Sequence, residues 1–100
     1  HQSVRLYGGR YPSEGYVQIG NDWTTICGLY ADINLARVVC RSLGYNTQYW
    51  NPSFNNQMGS VTVSNVTIKC LRGTETNLAE CTQGSNNYCS STNGFSVKCT

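Results

Sequence analysis

Charge is scarce in this chain. Asp, Glu, Lys and Arg make up 12% of its 100 residues, seven basic against five acidic, for a formal net charge of +2. That is too little charge for a disordered solvating segment, and too weak a basic excess for an arm that binds nucleic acid. Long apolar runs are missing as well. They reach three residues, as in Val38-Val39-Cys40, far short of what a membrane span needs. No apolar stretch precedes a small-residue cleavage site near the start, so no signal peptide is expected within this sequence. The single histidine is His1, and only two Asp and three Glu are present. This leaves no base to activate a nucleophile, and the chain is expected not to be an enzyme. At 39% hydrophobic, it has a thin supply for a core.

Cysteine, in contrast, is plentiful. Six stand at positions 27, 40, 70, 81, 89 and 99. No Cys-x-x-Cys pair occurs, whereas zinc ligands usually come in closely spaced pairs. An even number at wide spacing points to three disulfides and so to an oxidising compartment, secreted or facing outward on a cell. Six cysteines allow 15 pairings, and spacing alone does not choose among them. One hundred residues make one domain, 1–100, whose small core leaves only a few kcal/mol of net stability, so the bridges matter.

The local patterns read as strands around a single helix. Val4-Arg5-Leu6-Tyr7 ends at Gly8-Gly9, and Tyr11-Pro12-Ser13-Glu14-Gly15 is a turn. Val17 and Ile19 alternate with Tyr16 and Gln18 in a half-buried strand pattern. After a turn at Asn21-Asp22, Trp23–Cys27 forms the second arm of a hairpin. Then the period changes. Leu35, Val38, Val39 and Leu43 follow helical spacing, with Asp32 as N-cap and Gly44 as stop. Residues 45–60 are an aromatic, uncharged loop. Val61, Val63, Val66 and Ile68 mark a strand running to Cys70, with a phase slip between 63 and 66 that predicts a bulge or kink. Asn77–Cys81 forms one helical turn, 82–94 a polar loop, and Phe95–Cys99 a closing strand.

In this order the motifs resemble the scavenger receptor cysteine-rich (SRCR) domain. Val4–Arg10 resembles the family's opening VRLxGG, Glu14–Ile19 resembles EGRVEV, and Trp23–Cys27 resembles WGTVC. Ala36–Tyr45 resembles AxVVCRQLGY, the most specific stretch. Phe54, Gly59 and Val61 fit FGxGxGPI, Asn77–Cys81 fits SLWDC, and Tyr88-Cys89 and Val97–Cys99 fit the closing HNC and VRC. The pair of cysteines that distinguishes eight-Cys members is absent, so the chain resembles the six-Cys group. The resemblance implies the pairing Cys27–Cys89, Cys40–Cys99 and Cys70–Cys81. It also implies an α+β fold, a curved antiparallel β-sheet cradling one α-helix (about residues 33–43), with long loops and three disulfides.

The departures bear on metal. Many family members bind a divalent cation through two Asp directly after the first of these cysteines, helped by acids before the third and after the fifth. Here Cys27 is followed by Gly28-Leu29, the stretch around Val63-Ser64-Asn65 lacks acids, and Cys89 is followed by Ser90-Ser91-Thr92-Asn93. A hard cation wants several carboxylates. Asp32 remains, as a helix cap. No metal site and no cofactor is expected.

The resemblance implies a non-catalytic extracellular module of a secreted or membrane-anchored receptor. Such a module would recognise proteins or polyanionic surfaces such as glycans and microbial polymers, in the service of innate immunity, with neither nucleic acid nor inserted membrane as partner. The alternative is a secreted effector or extracellular-matrix assembly domain. Arg5, Arg10, Arg37, Arg41 and Arg72 are candidates for a basic patch. Arg37 and Arg41, one helical turn apart, are first choice because two guanidinium forks on one face suit sulfate or phosphate. In the aromatic loop, Tyr49 and Trp50 are candidate contacts, whereas Tyr45 and Phe54 occupy positions that look structural. Asn65-Val66-Thr67 is an N-glycosylation sequon, which makes Asn65 a candidate modification site.

Overall fold

The alternating stretch around Val17 becomes the middle of a sheet because it must bury apolar side chains on one face. The computed structural model describes residues 3–9, 11–20, 22–29, 31–45, 63–75, 78–89 and 94–99. Within them, β1 (Val4–Gly8), β2 (Glu14–Ile19), β3 (Thr24–Cys27), β4 (Val63–Lys69), β5 (Thr82–Ser85) and β6 (Ser96–Lys98) form one curved sheet. Helix α1 (Ile33–Ser42) packs against it, and Leu78–Glu80 makes a single 3-10 turn. The strand order is β1-β2-β3-β4-β5, and β6 pairs with the first half of β2, Glu14↔Lys98 to Tyr16↔Ser96.

Each element traces to local chemistry. Asp32 is extended, and its carboxylate accepts the amides of Asn34 (3.0 Å) and Leu35 (3.2 Å), satisfying two donors that a helix start leaves open. At the other end Gly44 takes φ +87°. Its amide donates to Arg41 O (3.0 Å), and that of Tyr45 donates to Cys40 O (2.9 Å), a glycine stop that needs left-handed backbone. The helix turns Leu35, Ala36, Val38 and Val39 onto Val17, Ile19, Ile26 and Ile68 of the sheet, all within 4% of full burial. Fully burying an aliphatic side chain of this kind contributes about 1.5–3 kcal/mol.

Three features differ from the sequence reading. Trp23 lies in the turn rather than in the second hairpin arm, with φ +50°, and β3 starts at Thr24. The β3–β4 pair is parallel, because α1 and the chain after it cross over between these strands. Residues 82–94 are not a continuous polar loop: Thr82–Ser85 pair with Val66–Lys69 as the edge strand β5. All four β5 residues are exposed, so no periodic burial signal marks them.

The phase slip in β4 has a clear geometry. Thr25 is opposite Val63 and Cys27 opposite Thr67, so two steps on β3 match four on β4. The Ser64 hydroxyl patches the gap, donating to Thr25 O (2.9 Å) and accepting from Val66 N (3.2 Å). Disulfides join Cys27 to Cys89, Cys40 to Cys99 and Cys70 to Cys81, closing sequence separations of 62, 59 and 11 residues. Cys40 ties α1 to the stretch after β6, and Cys70–Cys81 clamps the open ends of β4 and β5.

Candidate ligand-binding surface

With its apolar stripe committed to the sheet, α1 presents Asn34, Arg37 and Arg41 along one line, at spacings of three and four. The loop 71–75 lies against this line. Asn34 Nδ2 donates to Leu71 O (3.4 Å), and Arg41 Nη1 donates to Gly73 O (3.1 Å) and Glu75 O (2.9 Å). Gly73 has φ +75°, and a Cβ there would stand 2.6 Å from Asn34 Oδ1, so this position requires glycine.

The two arginines therefore differ in role. Arg37 is exposed, and its side chain hydrogen-bonds to none of the described residues. Arg41 is half-buried and straps a loop. The sequence pairs them as two outward forks; the fold leaves Arg37 in solvent and places Arg41 over two carbonyls. The loop that Arg41 straps also carries Arg72, which is exposed.

Glu75 explains why the loop holds its shape. Its side chain is turned inward, with 4% of the residue exposed, and Oε2 accepts the Arg72 amide (3.4 Å). Its own backbone amide, together with the amides of Arg72 and Gly73 and the Arg72 charge, holds the carboxyl below the ordinary glutamate value against the opposing effect of burial. The carboxylate folds back on the turn that carries it. Beside it opens a depression of about 280 Å³ lined by Lys69, Leu71, Arg72, Glu75, Glu80 and Thr82, among others. Its rim mixes both signs of charge, and Leu71 adds an exposed apolar side chain.

Arg5 belongs to a different place. Its Nε donates to Gln18 Oε1 (2.8 Å), and Gln18 Nε2 donates to Thr25 Oγ1 (3.0 Å), making a polar ladder across β1, β2 and β3. The guanidinium lies 4.5 Å from the Trp23 ring centre and 5.2 Å from that of Tyr7. This stack explains the turn conformation of Trp23, which lays the indole over the cation. The sequence analysis counted Arg5 among scattered charges. The available signal was the period of two that sets Arg5 and Tyr7 on one face of β1.

Asn65 is exposed on β4. Tyr49, Trp50, Phe54 and Arg10 lie outside the described residues.

Comparison with known proteins places these features in context. The sequence model described as "Scavenger receptor cysteine-rich domain" matches residues 7–100. Macrophage receptor MARCO of Mus musculus is 35% identical over 100 residues, covering 98% of this chain and 19% of that protein. Lysyl oxidase homolog 2 of Mus musculus is 37% identical over 97 residues, covering 80% of this chain and 12% of that protein. The chain thus spans a fifth or less of these relatives. Among solved structures, the third SRCR domain of murine neurotrypsin superposes with a TM-score of 0.79 at 27% identity, covering 99% of this chain and 96% of that one. The dimeric form of the SRCR domain of mouse MARCO gives 0.58 at 29% identity, covering 100% of this chain and 89% of that one.

Proposed function

Because this chain belongs to the scavenger receptor cysteine-rich family, we propose that it acts as a recognition module that holds polyanionic ligands on the seam between α1 and the loop 71–75. Members of the family are extracellular, receptor-type binding modules and are generally non-catalytic. The observation that supports a ligand at this seam is the division of labour between its arginines. Arg37 is free to meet a sulfate or phosphate group, while Arg41 spends its donors on Gly73 and Glu75 and so holds the loop that carries Arg72. Planar guanidinium forks bind such oxyanions bidentately. A protein ligand with acidic side chains would use the same surface. Tyr49 and Trp50 are proposed as further contacts that offer rigid aromatic area.

Immobilised heparin tests the reading. Arg37→Ala should weaken binding of the folded domain at low salt, and Arg72→Ala should do the same. Parent binding should fall steeply as salt rises, because exposed charges are screened. If the Arg37→Ala/Arg72→Ala double variant stays folded and binds heparin as tightly as the parent, the seam is not the site.

A further inference from the structure

The sequon is the one motif that ligand recognition does not use, and its surroundings say when it can be used. Val66 and Ile68 of β4 face the core, so Asn65, Thr67 and Lys69 project from the opposite face of the sheet, away from α1. Asn65 is exposed there, and its backbone carbonyl accepts the Asn86 amide (2.9 Å), which continues the β4–β5 ladder. Its partner in the sequon is in the opposite condition. Thr67 is 7% exposed, paired with Cys27 of β3 on one side and Gly84 of β5 on the other. The Thr67 hydroxyl lies over Gly84, 3.5 Å from where a Cβ would be.

We infer that Asn65 carries an N-linked glycan, and that it is attached before β4 pairs with its neighbours. The transfer needs the Asn amide and the Thr hydroxyl presented together to the enzyme, because the sequon is read as a unit. Asn65 Nδ2 attacks C1 of a lipid-diphosphate-linked oligosaccharide. An N–C bond forms, the C–O bond to the diphosphate breaks, the lipid diphosphate leaves with the electron pair, and Nδ2 gives a proton to an enzyme base. In the folded domain three strands enclose Thr67, and Cys70–Cys81 locks β4 to β5 just beyond it. The acceptor is therefore the open chain. Once the sugar is attached, folding proceeds unhindered, because Asn65 itself stays in solvent on the face opposite the helix. Asn87-Tyr88-Cys89 is a poor sequon, because Cys stands where the acceptor motif has a Ser or Thr hydroxyl.

Two measurements test this. The chain is secreted from cultured animal cells and weighed before and after peptide-N-glycosidase F. The parent should lose the mass of one N-glycan, and Asn65→Gln should show none to lose. A parent secreted without a glycan at Asn65 overturns the site. Next, the oxidised, folded domain and the reduced, alkylated chain are each offered to an oligosaccharyltransferase with a lipid-linked donor. The open chain should be modified at least tenfold faster, and Asn65→Gln should abolish that product. Equal rates on the folded and open chains overturn the order of events.

Discussion

Replacing Arg41 by Ala separates a structural arginine from a binding one. The change removes two charge-assisted hydrogen bonds, to Gly73 O at 3.1 Å and Glu75 O at 2.9 Å. Hydrogen bonds to a charged group contribute about 1.5–3 kcal/mol each in favourable settings. Arg41 is half-buried, and water can reach the carbonyls once the side chain is gone, so the lower end applies and the two do not simply add. A loss of about 2 kcal/mol follows. In a domain of this size each kcal/mol shifts Tm by about 4–8 °C, so the variant should melt about 8–16 °C lower. Arg41→Lys keeps the charge but loses the planar fork, and should lie between the two. Arg37→Ala should change stability by less than about 0.5 kcal/mol, as expected for an exposed side chain with no hydrogen-bond partner among the described residues. Differential scanning calorimetry at one pH and salt concentration reads all three. If Arg41→Ala melts together with Arg37→Ala, the strap does not hold the loop, and Arg41 returns to the set of free cations.

Other outcomes follow from the same structure. Replacing Cys70 and Cys81 by Ser should cost about 3 kcal/mol in the chain-entropy model, read by urea unfolding, and an unreduced digest containing a peptide that joins Cys40 to Cys70 would contradict the observed pairing. The Glu75 carboxyl is depressed in the folded state, so its contribution is present above the ordinary glutamate value and is lost as the pH falls through the lower folded value. Glu75→Gln should therefore flatten the acid limb of the stability curve below that pH, and an unchanged limb would refute the assignment. Millimolar calcium should leave Tm unchanged, because Asp32 is occupied by the helix cap and Gly28-Leu29 follow Cys27; a rise of several degrees that EDTA reverses would reveal a site.

What the sequence determined by itself is whatever neighbours in the chain decide. Asp32 and Gly44 bound the helix because capping acts within about four residues. The alternation at Val17 and Ile19 marks β2, and the slip between Val63 and Val66 marks the irregular ladder opposite Thr25 and Cys27. The cysteine count identifies an oxidised domain, and the ordered motifs identify the family and with it the three bridges. The tertiary structure alone decided what depends on residues far apart. Strand β5 shows no pattern in Thr82–Ser85 because neither face is buried, and it exists by virtue of β4 beside it and the Cys70–Cys81 clamp. Arg37 and Arg41 look alike along the chain, yet the loop that distinguishes them arrives from 32 and 34 residues beyond Arg41. The stacking of Arg5 on Trp23 and Tyr7 likewise needs the hairpin to have folded before the cation can meet both rings. Periodicity reports which face a residue occupies; only packing reports which partner waits there.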